Sequence, residues 1–134
     1  MVNDSKDQEM MMDAQEINRH VAKCHNASRL GGWWNDPITG NKIEPESVFT
    51  TKLCLIHSEL SEALEGFRKG KMDEHIPSRT SVEVELADAV IRIYDLAGAM
   101  GLDLGGALVE KVQYNAQRAD HKREHRAAAG GKKF

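Results

Sequence analysis

Two acidic pairs carry the most chemistry in this sequence: Glu59 and Glu62 within IHSELSEALEG, and Glu85 and Asp88 within EVELADAVIR. In a helix a spacing of three puts both carboxylates of a pair on one face. Spacing alone is a weak signal, because five acidic i,i+3 pairs occur where composition gives roughly three by chance. The setting is what separates these two. Glu59 and Glu62 flank the apolar residues Leu60 and Ala63, and Glu85 and Asp88 are embedded in the most apolar stretch of the chain. Carboxylates taken out of water need cations or must hold their protons. Arg92, Lys52, Arg68 and Lys69 are candidate side-chain cations. Four carboxylates facing one another across two antiparallel helices would instead make a hard, oxygen-rich site suited to Mg²⁺, with Mn²⁺ able to substitute. The bland alternative is that these acids are ion-pair partners on helix surfaces.

A second constellation follows at Lys111, Asn115 and Arg118, spaced by four and three so that a continuous helix would carry them on one stripe. Two cations and an amide offer charge neutralisation and directed hydrogen bonds, which is what a triphosphate needs. In the polar segment before the second helix, Trp33 and Trp34 divide into a core plug and a stacking platform. The reading assigns the core to Trp33 and the platform to Trp34, with His25 placed to hydrogen-bond a base edge. His121 and His125, four apart in DHKREH, lie among charged residues and read as a solvated helix end.

The elements that must position these groups are helices. The 134 residues suit one domain; 40% hydrophobic and 29% charged residues, three prolines and seven aromatics favour an all-α protein. A first amphipathic helix is expected from about Met10 to Ser28, with Ile17, Val21 and Cys24 on its apolar side and Gly31-Gly32 beyond its end. A second should run from Glu46 to Lys69, its seam formed by Phe49, Leu53, Ile56, Leu60, Ala63 and Phe67. Gly70 stops it, KMDEHIPSR is a loop, and Thr80-x-x-Glu83 is a capping box for a third helix. That helix is apolar around most of its circumference, which calls for cover from several sides and predicts a homo-oligomer, dimer or tetramer. A fourth helix, capped by Asp103, is expected over Leu104 to Arg126. The ordered core is placed at about residues 10–126, with 1–9 frayed and 127–134 a flexible basic tail.

Charge is uneven: residues 1–110 hold 11 Lys and Arg against 19 Asp and Glu, and residues 111–134 hold 7 against 2. Beyond Tyr114 and Phe134 the basic end lacks aromatic interleaving, which argues against nucleic acid as its partner. Cys24 and Cys54 have no metal-ligand spacing and read as buried free thiols. No apolar run is long enough to span a membrane, and the acidic start MVNDSKDQEM is unlike a signal or transit peptide, so the expected location is the cytoplasm, or the host cytoplasm for a phage-encoded chain.

The two motifs, 22 residues apart, with the Lys111/Asn115/Arg118 stripe after them, resemble the MazG-like all-α nucleoside triphosphate pyrophosphohydrolases over roughly residues 15–126. The resemblance implies a four-helix, bundle-like MazG-type fold and hydrolysis of a (d)NTP to (d)NMP and pyrophosphate. It implies Glu59, Glu62, Glu85 and Asp88 as Mg²⁺ ligands and catalytic residues, and Lys111 and Asn115 as substrate-binding. His25 and Trp34, nine apart, are similar to a base-side pair of some members. One departure is Ser58, where many members carry a further Glu. The blocks GGWW, HSELSEALEGFRKG, EVELADAVIRIYDLAG and YNAQRADHK look most like phage-type members. One subtype of these, MazZ, converts dGTP to dGMP in phages that make 2-aminoadenine DNA. A ferritin-like di-iron protein would need Glu-x-x-His on two helices, which is absent from the sequence. The remaining alternative is a non-catalytic helical interaction module with a basic tail.

Overall fold

The computed structural model describes residues 12–134; the expected fraying of 1–9 and the helix start at Met10 lie outside them. The described chain is all-helical: α1 (Ala14–Leu30), α2 (Pro45–Lys69), α3 (Ser81–Ala99), α4 (Leu104–Gln117), a 3₁₀ turn (Ala119–His121) and α5 (Arg123–Ala127). Two compact units divide it, one of residues 19–102 and the other of 12–18 with 103–134. No helix among the described residues is long and apolar enough to cross a membrane.

In the larger unit α2 and α3 form an antiparallel hairpin. Pro45 opens α2 without losing a needed donor, and Gly70 closes it in the left-handed region at φ 59°, where its N–H returns to the carbonyls of Gly66 and Phe67. The N-cap half of the expected box forms at the start of α3, the Thr80 hydroxyl accepting from the Glu83 N–H at 3.2 Å, while the Glu83 carboxylate pairs with Arg79 at 3.0 Å. Between them Met72 pairs with Thr80 as an isolated bridge. The Asp73 carboxylate accepts from the N–H groups of His75 and Ile76, which fixes the turn. The helices come close at this end: a Cβ added to Gly66 would lie 2.5 Å from the Ser81 Oγ and 2.7 Å from its Cβ.

The apolar seam of α2 is split rather than shared. Ile56 and Ala63 are buried with Glu59 and Gly66, while Leu53, Leu60 and Phe67 face outward. On α3, Ala89, Leu96 and Ala97 are buried, and Leu86, Val90, Ile91 and Ile93 are exposed. Trp34, Ile56 and Leu96 form the core cluster, with Val48, Ala99 and Met100 against it. The thiols are free as expected, but Cys54 is exposed and Cys24 only half-buried, so neither is the fully buried thiol that was anticipated.

In the smaller unit Asp103 caps α4 through the Gly106 N–H. It also accepts from the Asn18 amide at 2.7 Å, while the Asn18 oxygen accepts from the Gly105 N–H. The expected fourth helix to Arg126 breaks early. Arg118 takes an extended conformation at ψ 127°, and its guanidinium grips the Asp120 carboxylate through Nε at 2.9 Å and Nη2 at 2.6 Å. This clasp holds Asp120 well down, at about 2. Lys132 approaches the same carboxylate at 3.6 Å, and His121 and His125 are exposed.

Candidate functional site

The acids of the hairpin converge. One carboxylate oxygen each from Glu59 on α2 and from Glu85 and Asp88 on α3 lie within 4.8 Å of one another. All three border a cavity of 580 Å³ between the helices and the 70–80 loop. Glu62, the fourth predicted ligand, lines the same cavity but stands outside the three-oxygen group. The loop, read from the sequence only as a connector, adds Lys71, Asp73 and His75 to the walls. Ser58, the position of the departure, turns its hydroxyl back to the Leu55 carbonyl at 2.7 Å.

The electrostatics show carboxylates short of positive charge. Burial, the charge of Glu62 and a hydrogen bond with Glu59 push Glu85 up to about 6. Asp88 is raised first by burial and then by Glu59, with Arg92 pulling the other way. Among the described residues the direct counter-ion is Arg92, whose Nε donates to Glu59 Oε1 at 2.6 Å. Arg68 and Lys69 both pair with Glu65 instead. An all-oxygen donor set in which Glu85 and Asp88 are raised fits a hard divalent cation, which would relieve the mutual repulsion.

A sign follows for stability in EDTA. A folded-state Glu85 near 6 binds its proton more tightly than an unfolded glutamate, so its contribution is complete below the ordinary value of 4.5 and is lost as pH rises through 6. Discounted for solvent screening, this amounts to about 1 kcal/mol, or roughly 3 °C in melting temperature. Lowering the pH from 7 to 5 should therefore favour the metal-free wild type over Glu85→Gln by that margin in paired thermal melts. Equal pH responses would mean that Glu85 is not held in a carboxylate cluster.

The His25 and Trp34 region is organised by a residue that the sequence analysis passed over. Asp95 of α3, itself buried, accepts from Trp34 Nε1 and Ser28 Oγ and lies 2.8 Å from His25 Nδ1, each contact being of that length. The carboxylate is acceptor-only, so the His25 proton sits on Nδ1 and leaves Nε2 for other contacts. This reverses the assignment of the tryptophans. Trp34 is the core residue at 5% exposure, drawn in by Asp95, and Trp33 is 71% exposed. Trp34 meets His25 edge-on, and Lys52 Nζ stands 4.5 Å from its ring centroid, so its faces are occupied by the protein. Both His25 and Trp34 still border a 620 Å³ cavity with Arg29, Lys42, Glu44 and Glu46.

In the smaller unit the predicted stripe does not survive the break after Gln117. Lys111 lies over the Tyr114 ring at 4.8 Å, and Arg118 is committed to Asp120. Asn115 Oδ1 is buried with no hydrogen-bond partner among the described residues.

Fold and site together define an all-helical protein with a carboxylate cluster held across a helical hairpin. No family model matches the chain, and comparison with curated proteins and with solved structures gives no match either.

Proposed function

We propose that the chain is a metal-dependent nucleoside triphosphate pyrophosphohydrolase of MazG-like type, releasing pyrophosphate and a nucleoside monophosphate. The observation that carries this reading is the convergence of Glu59, Glu85 and Asp88 at the motif spacing through which the sequence resembles that family. These three would hold Mg²⁺, which when bound neutralises phosphate charge and makes water a stronger acid. Water adds in line to the α-phosphorus, the bond to the bridging oxygen breaks, and pyrophosphate leaves. Glu62, beside the three-oxygen group on the same cavity wall, takes the proton of the attacking water, and Lys71 on that wall offsets charge on the phosphates. Lys111 and Asn115 belong to the substrate on the resemblance alone. The phage-type blocks make dGTP the first nucleotide to try.

The outward apolar residues of α2 and α3 fit assembly as a homodimer or tetramer, because contiguous apolar patches mark interaction surfaces. The same face favours the second reading, an interaction module without catalysis. Phosphate detection with added inorganic pyrophosphatase, over a panel of NTPs and dNTPs with Mg²⁺ or EDTA, separates the two. Release that requires both Mg²⁺ and the coupling enzyme is expected; silence across the panel rejects the enzyme and leaves the module.

A further inference from the structure

We propose that the nucleotide is seated in the 730 Å³ cavity bordered by Trp33, Lys23, Lys52 and Arg92, with its base against Trp33 and its phosphates led by Lys23 and Lys52 to Asp88. This rests on the pyrophosphohydrolase reading for what happens at Asp88.

Asp88 borders both this cavity and the one that holds the other acids. A ligand here therefore meets one member of the carboxylate cluster directly. The cavity has two chemical halves, as a nucleotide does. Leu55 and Ile91 supply apolar wall, and Trp33 presents an indole that is 71% exposed and takes no part in the core cluster. An exposed tryptophan face beside apolar wall is a stacking surface open to any base. Against it stand three cations and two carboxylates. Arg92 is engaged by Glu59 at 2.6 Å and Asp95 by its three partners, which leaves Lys23 and Lys52 as the cations that face phosphates. Lys52 is held on the inner wall by its contact with Trp34 rather than ranging through solvent.

The 620 Å³ cavity beside His25 has apolar wall from Leu30, Ile43 and Met100, but its charges are balanced and it shares no acid with the cluster. Its cations Arg29 and Lys42 are balanced by Glu44 and Glu46, Lys42 lies 3.7 Å from Glu44, and none of Glu59, Glu62, Glu85 and Asp88 borders it.

The test uses the full chain in EDTA with dGTP, dATP, dCTP and dTTP as probes, read by tryptophan fluorescence and by equilibrium dialysis. Saturable quenching is expected in the wild type and lost in Trp33→Phe, where only buried Trp34 emits. Lys23→Glu and Lys52→Glu should each weaken nucleotide binding about tenfold. Lys23 is exposed, so its variant keeps the test valid if Lys52→Glu unfolds by circular dichroism. Binding that stays within about twofold of wild type in Trp33→Phe and Lys23→Glu but is lost in His25→Ala overturns the proposal in favour of the other cavity. Absence of binding by the wild type to all four probes also overturns it. If pyrophosphate is released with an unchanged KM in Trp33→Phe and Lys23→Glu, the seat is wrong while the catalytic reading stands. If Trp33 is quenched saturably but no nucleotide is hydrolysed, the seat stands and the catalytic reading falls.

Discussion

Asp88→Asn is expected to slow pyrophosphate release by ~10³-fold or more while leaving the metal-free protein at least as stable as the wild type. The two effects have one cause. Burial and the charge of Glu59 both push the Asp88 carboxyl up, and a divalent ion would turn that repulsion into attraction. The amide keeps the shape, removes the charge and relieves Glu59, so without metal the fold loses nothing. Sites built for a ligand commonly show this opposition between stability and function. Release assays on the most active nucleotide, paired with melts in EDTA, read both quantities. A rate within tenfold of wild type would remove Asp88 from the metal site. A joint loss of rate and stability would make it a structural acid.

Asp95→Ala is expected to cost about 3–5 kcal/mol of unfolding free energy in urea and to lower the melting temperature by roughly 10 °C or more. The truncation strands three donors at once: the Trp34 indole N–H, the Ser28 hydroxyl and the His25 Nδ1–H, all now within 2.8 Å of the carboxylate. It also releases Trp34 from the cluster with Ile56 and Leu96. Asp95→Asn retains one accepting oxygen and should lose less than half as much. A loss under about 1 kcal/mol for the alanine variant would show that water reaches the three donors unaided.

The helical hairpin was legible because its signals are local. Gly70, the Thr80–Glu83 box and the seam around Ile56 and Ala63 each act within a few residues, and each has a direct physical consequence. The acids at 59, 85 and 88 were legible for a related reason, since charge inside an apolar run is a cost that asks for a purpose. The same argument applied to Asp95, set between Tyr94 and Leu96, and would have found the anchor of Trp34. It was masked because Asp95 has no acidic neighbour at helical spacing. Which of two adjacent tryptophans turns inward could not be read from periodicity in a turn; a carboxylate 61 residues away decides it. The end of α4 was missed because neither Gly nor Pro marks it. A clasp between Arg118 and Asp120 ends the helix, and that depends on side-chain geometry rather than on residue type. The outward half of the α2 seam was likewise hidden, because an apolar repeat does not say whether its partner is the same chain.

The near contact of Gly66 with Ser81 makes one missing carbon the gauge of how closely the two rods lie at their loop end. An added methyl there would act as a shim, tilting α3 against α2 and opening the distance between Glu59 and its opposite acids two turns away. The reach of the acidic trio can thus be retuned from a position that borders the same cavity but bears no charge, a route to altered ion preference that leaves every carboxylate in place.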